Sequence, residues 1–135
     1  MTHIFVDTDV LLDFIGDRKP FSKFARLIFA GVNAKKFKAY TSSNSITTVY
    51  YLLSKIVDKR EARILIMDLL DFVQVIPVSE SILRKSIKSV FIDFEDAVQH
   101  QCALSIDSIN FIVTRNLRDF RKSAIRAIGP EELVA

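Results

Sequence analysis

Three stations along the chain combine carboxylates with small polar side chains in patterns suited to phosphate chemistry. Asp7, Thr8 and Asp9 follow one apolar run, Asp93, Glu95 and Asp96 stand at the head of a helical stretch, and Thr114, Arg115, Asn116 and Asp119 follow another apolar run. A further polar cluster, Thr41, Ser42, Ser43 and Asn44, carries hydroxyls and an amide but no acid. Carboxylates brought close together repel and raise one another's pKa unless something positive intervenes. A divalent cation resolves that conflict. Oxygen ligands without clustered His or Cys favour Mg2+ or Mn2+ over Zn2+. The chemistry implied is metal-assisted phosphoryl transfer, in which the ion polarises the phosphate and acidifies an attacking water while Asn or Thr side chains orient substrate.

The charge distribution is compatible with a phosphate-bearing partner. The chain carries 19 basic and 16 acidic residues, a net charge of +3. Five bases (Arg115, Arg118, Arg121, Lys122 and Arg126) and one acid, Asp119, lie between Arg115 and Arg126, whereas residues 7–17 hold four acids and no base. A basic rim beside an acidic knot suits phosphate recognition around a metal. Taken alone, the basic stretch reads as a solvated helix face.

These residues need elements to position them. An apolar run over residues 3–6 ends in acids, and Val10, Leu11, Phe14 and Ile15 then follow at helical spacing, so the order is strand, acidic turn, helix. A second helix starts from an N-cap at Ser22, with Ala25, Ile28, Phe29 and Val32 on one side. Residues 37–41 read as a strand, and the cluster at 42–45 opens a third helix carrying Ile46, Val49, Leu53 and Ile56. Ala62, Leu65, Ile66 and Leu69 mark a fourth helix, and Val73–Ile76 is a buried strand. Ser79 caps a fifth helix running to about Val90, and Asp93 caps a sixth running to about Leu104. A strand over 109–113, a short helix after Asn116 and an edge strand over 126–128 complete the chain before Gly129 and Pro130.

Strands alternating with helices predict a three-layer α/β/α domain around a central, mostly parallel sheet of four to five strands, because parallel neighbours need crossover connections. Ligands of such sheets collect beyond the carboxyl ends of the strands, where the first, second and last polar stations would lie. With 135 residues, a single domain spanning 1–135 is expected. Half of the residues are hydrophobic and 26% charged, with three Gly and three Pro, which excludes disorder and linker-rich architecture. No apolar stretch approaches the ~18 residues that cross a bilayer. A single Cys102 forms no internal disulfide, so a reducing, cytoplasmic location is expected.

Each candidate also has a purely structural explanation. Asp7 and Asp9 could cap the first helix. Asp13 lies one turn beyond Asp9, where a like-charge pair is mildly unfavourable, and is read as solvent-facing. Asp96, three residues after Asp93, could complete a capping box, and Asp119 could balance its neighbouring arginines. His100 is set aside as a surface hydrogen-bonding residue, Cys102 as a small core residue, and Tyr50 and Tyr51 as packing in the core or at a subunit contact.

The run Ile4-Phe5-Val6-Asp7-Thr8-Asp9-Val10-Leu11-Leu12-Asp13 resembles the opening of PIN-domain ribonucleases, including the VapC-type toxins of bacterial toxin–antitoxin pairs. Thr41-Ser42-Ser43-Asn44 is similar to that family's second segment, Asp93-Phe94-Glu95-Asp96-Ala97 to its third, and Ile112-Val113-Thr114-Arg115-Asn116 through Asp119-Phe120 to its fourth. Gly129-Pro130-Glu131-Glu132-Leu133 resembles the closing segment. The resemblance implies a Mg2+- or Mn2+-dependent endoribonuclease, probed at Asp7, Asp96 and Asp119 as the acid cluster, Asp9 as a secondary ligand and Asn116 as support for the metal or its waters. It further implies substrate contacts from Thr8, Ser43, Asn44, Thr48, Thr114, Arg115 and Arg118, a homodimer, and a small cognate antitoxin. Two departures stand out: Thr48 occupies the position nearest to the usual second-segment Glu, and Asn116 stands where some members have Asp.

The principal competing class is a PIN-fold module that holds RNA or a protein without cutting, the missing Glu being its rationale. A phosphotransferase of the haloacid dehalogenase type would need Thr or Val where Leu11 stands. A receiver domain would need an Asp closing the Val73–Ile76 strand and a Lys-Pro turn after the later one, and has neither.

Overall fold

Ile4, Phe5 and Val6 have no exposed surface, the mark of a strand covered on both faces. In the computed structural model, which describes residues 1–135, this run belongs to β1 (Thr2–Val6). It is followed by α1 (Thr8–Ile15), α2 (Ser22–Asn33), β2 (Phe37–Ser42), α3 (Ser43–Leu53), α4 (Lys59–Leu70) and β3 (Val73–Ile76). The second half comprises α5 (Glu80–Ile87), α6 (Phe94–Leu104), β4 (Phe111–Val113), a 3-10 turn (Leu117–Phe120), β5 (Ala127–Ile128) and α7 (Pro130–Leu133). The five strands form one sheet in the order β3-β2-β1-β4-β5, and every neighbouring pair is parallel. The three-layer α/β/α expectation holds, with the sheet wholly rather than mostly parallel.

Alternation along the strands assigns the two layers. Ile4, Val6, Ala39 and Val113 pack with Val10, Leu11, Ala25, Phe29, Val49, Leu53, Ala62 and Leu69, so α1 to α4 cover one face. Phe5, Tyr40 and Ile112 point the other way onto Ile82, Val98, Cys102 and Phe120 from α5, α6 and the 3-10 turn. On the first face Phe14 stacks on Phe29 at 4.2 Å between centroids, and Phe72 meets both rings edge-on.

The strand order reverses between β1, which leads to β2, and β4, which lies on its other side. The crevice beyond the carboxyl ends of β1 and β4 is thus the switch point where such sheets take ligands. Register brings their ends level, Val6 opposite Val113. Asp7 and Thr114, the next residue on each strand, are consequently neighbours.

Several boundaries differ from the sequence expectations. Ser22 does not cap α2: Phe21 occupies that position without a side-chain bond, and the Ser22 N–H already donates to the Arg18 carbonyl at 2.7 Å. The fifth helix stops at Ile87 rather than near Val90, because Ile87 and Val90 are largely exposed and offer no apolar contact to extend it. The strand expected from 109 starts at Phe111; before it, Asn110 pairs with His3 partly through its side chain, whose Oδ1 accepts from the His3 N–H at 2.8 Å. Tyr51 is exposed rather than packed in the core, whereas Tyr50 does pack against it.

Phe29 joins two other aromatic rings in the core, so Phe29→Ala should leave a cavity and lower the unfolding free energy by about 3–5 kcal/mol. Urea denaturation checks this, with an unchanged slope expected if only the native state is affected.

Candidate functional site

Asp7 is the centre of the site. Its backbone N–H donates to the Val113 carbonyl at 2.9 Å, which fixes it across the β1–β4 junction. Its extended backbone (φ −69°, ψ 155°) makes it the N-cap of α1, and Oδ1 accepts from the Thr8 N–H at 2.8 Å. The Thr114 hydroxyl donates to Oδ2 at 2.8 Å. Asp7 is 7% exposed and enters no ion pair. Burial raises its pKa, opposed by hydrogen bonds from Thr114, Thr8 and Gln99, and the nearby Asp9 raises it further. Capping and function therefore coincide in one residue.

A buried polar layer supports this corner. The Thr8 and Ser45 hydroxyls are 2.8 Å apart, Ser42 Oγ donates to Gln99 Oε1 at 2.5 Å, and Gln99 Nε2 donates to Ser45 Oγ at 2.6 Å. Gln99 lies one helical turn after Asp96, so the same face of α6 faces the site and locks onto α3. The sequence reading missed Gln99 and Ser45; the 96/99 and 42/45 spacings were the available signal.

Asp7, Asp9, Asp93, Glu95, Asp96 and Asp119 line one cavity of about 270 Å3, together with Thr8, Thr48, Leu52 and Asn116. No basic side chain lines it. The structure thus brings the acids of all three sequence stations to one place. They surround the cavity without forming a closed cage, since no three His, Cys, Asp or Glu side chains are grouped tightly enough to hold an ion as they stand.

The half-buried Asp96 carboxyl shows the strain of this crowding. Desolvation and then the charges of Asp93, Asp7, Asp119 and Glu95 push its pKa up to about 7. Glu95 is raised by desolvation and by Asp93, Asp7 and Asp9. Asp93 accepts from the Asp96 N–H at 2.9 Å as the cap of α6, with no reciprocal bond from Asp96, so the capping-box explanation covers Asp93 and leaves the Asp96 carboxyl free. Across the cavity, the Asn116 amide donates to Asp9 Oδ2 at 3.1 Å. An all-oxygen, base-free cavity with one carboxyl protonatable near neutrality fits a hard divalent cation.

Asp13 corrects its sequence assignment. It is 1% exposed rather than solvent-facing, and accepts from Arg18 Nε at 3.0 Å and Arg115 Nε at 2.8 Å. Arg115 also lies 3.8 Å above the Phe21 ring. Arg115 is therefore committed within the protein, and the wholly buried Thr114 presents its hydroxyl to Asp7; neither is placed to meet substrate as the sequence reading supposed. Ser43 Oγ accepts from the Val78 N–H at 3.0 Å and likewise serves the fold. Thr8 and Thr48 face the acidic cavity, while Asn44 is exposed at the start of α3 outside it. Arg118 lies on an adjoining cleft. His100 is buried rather than at the surface: its ring stacks on Phe91 at 4.7 Å between centroids and its Nε2 accepts from the Ala124 N–H.

A wholly parallel sheet with acids gathered beyond its switch point defines an α/β protein that takes its ligand at the carboxyl ends of the strands. Residues 3–118 match the PIN domain family, and the chain belongs to that family. Ribonuclease VapC1 of Aquifex aeolicus (strain VF5) is 35% identical over 105 residues, covering 74% of this chain and 72% of the relative. Two solved structures share the fold. One, a toxin–antitoxin complex from Klebsiella pneumoniae, superposes with a TM-score of 0.69 at 20% identity, over 94% of this chain and 97% of that one. The other, VapBC2 from Rickettsia felis bound to a DNA fragment from their promoter, gives 0.68 at 15% identity, over 95% and 98%.

Two outcomes follow from this geometry. Asp13→Ala leaves two arginines without their buried partner and should cost about 2–4 kcal/mol in chemical denaturation, at the lower end of buried pairs because the arginines are partly exposed. A carboxyl whose pKa is higher in the folded than in the unfolded chain destabilises the fold above the folded value and has no effect below the unfolded one. Asp96 rises from 3.8 to about 7, so in chelator Asp96→Asn should become more stable relative to the parent as pH rises through that window, and the gap should level off above it. Paired thermal melts across the window measure that difference.

Proposed function

We propose that this chain is a VapC-like ribonuclease, a Mg2+- or Mn2+-dependent endoribonuclease acting on RNA phosphodiesters as the toxin of a toxin–antitoxin pair. The observation that carries the reading is the single base-free cavity lined by six carboxyl side chains at the sheet's switch point. The relationship to Ribonuclease VapC1 supports the substrate class, and the likeness to a toxin–antitoxin complex supports a small antitoxin as partner. The reading includes a single domain over 1–135, a cytoplasmic location and a homodimer. No helix is long and apolar enough to cross a membrane.

Asp7, Asp96 and Asp119 would hold the cation, with Asp9 as a secondary ligand. The bound ion supplies charge for the scissile phosphate and a lowered pKa for the attacking water. The chain's own contribution is positional. Thr114, the Thr8 N–H and Gln99 restrain the Asp7 carboxyl, and Asn116 fixes Asp9 through its amide. Thr48 and Leu52 line the same cavity from α3. Because Asp96 is protonated over part of the neutral range, cation binding must release its proton and should tighten as pH rises through about 7.

Thr48 favours a second reading, a PIN-fold module that holds RNA or protein without cutting, since a neutral hydroxyl is a weaker ligand for a hard cation than a carboxylate. Incubation of labelled RNA with the protein, with and without Mg2+ or Mn2+, separates the two. Cation-dependent cutting that falls at least about 100-fold in both Asp7→Asn and Asp96→Asn is the outcome for the enzyme. Retention of intact RNA, indifferent to chelator, is the outcome for the module. Thr48→Glu should strengthen Mn2+ binding measured by calorimetry, provided its carboxylate reaches the cavity that Thr48 lines; unaltered affinity argues against a ligand role at that position.

A further inference from the structure

The acids of the cavity stand at the heads of α1 and α6, with one exception. Asp119 sits in the 3-10 turn of four residues, and no regular element follows that turn until Ala127. It is also one of the charges that crowd Asp96, so repulsion pushes this segment away from the cavity it helps to line. The segment needs a tether. At its start Asn116 reaches Asp9 through its amide. Beyond Asn116, a single hydrogen bond ties residues 117–125 to another element: the Ala124 N–H donates to His100 Nε2 at 3.1 Å, and the remaining bonds of the stretch are local.

The same ring grips the segment at a second point. Phe120, next to Asp119 and 2% exposed, meets Phe91 edge-on at 5.9 Å, and Phe91 in turn stacks on His100. His100 lies one helical turn after Asp96, so α6 carries both that acid and the group that fastens Asp119's segment.

The proton positions explain why a histidine stands there. A backbone N–H can only donate, so Nε2 presents its lone pair and the ring proton is on Nδ1. Nδ1 is buried without a partner, which costs stability. Burial lowers the pKa from its ordinary value, which keeps the ring neutral and the lone pair available. Phenylalanine would keep the stack on Phe91 without the unpaired donor. It would lack only the acceptor for Ala124.

We propose that His100 is a positioning residue: by accepting from Ala124 and stacking on Phe91 it holds the 3-10 turn against α6 and keeps Asp119 beside Asp96. Its consequence for cation binding rests on the reading of the acidic cavity as a cation site, whereas the hold on the turn is measurable without a cation.

The test compares the parent with His100→Phe and His100→Gln by calorimetric titration with Mn2+ and by amide exchange over residues 117–126 in chelator. Ala124 is exposed and its freed N–H can turn to water, so His100→Phe should melt no lower than the parent. Its Mn2+ affinity should nonetheless fall roughly tenfold, the lower end of the effect of removing a ligand's supporting partner, and exchange should quicken. His100→Gln offers an amide oxygen at the same reach as Nε2 and should restore both. On an Asp119→Asn background, His100→Phe should change affinity no further, since the two residues act along one path. Parent-like affinity and exchange in His100→Phe overturn the proposal, as does an undiminished loss on the Asp119→Asn background. Equal weakening in both single variants assigns His100 to packing and also overturns it. If the parent binds no Mn2+, the cation reading alone fails, and faster exchange in His100→Phe with recovery in His100→Gln still establishes the hold on the turn.

Discussion

Six carboxyl side chains gathered about one cavity repel each other, and the fold must hold them there against that repulsion. The rigid part of the molecule is arranged accordingly. Asp7 is pinned by backbone and side-chain hydrogen bonds at the junction of β1 and β4, and α6 carries Asp96 on a helix locked to α3 through Gln99 and Ser45. The apolar layers on both faces of the sheet provide the stabilisation that lets this unfavourable corner exist. Carboxyl groups that destabilise the cation-free protein are a common feature of functional sites, where strain is retained for chemistry.

The distribution of positive charge completes that arrangement. Asp13 lies on the same helix as Asp9, yet its carboxyl turns into the protein and binds two arginines. This pairing ties the segment after α1 to the segment after β4, the one that carries Asn116 and Asp119. The Arg115 guanidinium is thereby held on Asp13 and over Phe21. No base lines the cavity, although Arg18 reaches within 3.7 Å of Asp9 and Arg118 stands in the 3-10 turn beside Asp119.

Much of this was legible in the chain. Val73–Ile76 was found to the residue, and Asp93 was identified as the cap of the sixth helix, because a short apolar run and an N-cap acid are local signals. The acidic stations were legible because residues following parallel strands converge by topology. Asp13 was misread because its partners are 5 and 102 residues away, and spacing along one helix says nothing about an arginine arriving from another loop. Gln99 was missed for the same reason: a neutral amide gains meaning only when three hydroxyls close around it. The early end of the fifth helix likewise depends on what packs above it, which no window of sequence contains.

The hydrogen bond from Thr114 to Asp7 joins residues 107 positions apart. During synthesis, β1 and the first acids leave the ribosome long before β4 exists to receive them, so the nascent polypeptide carries the separate parts of the cavity without the cavity itself. Assembly of the centre is coupled to insertion of β4 beside β1, among the last pairings that the growing chain makes possible.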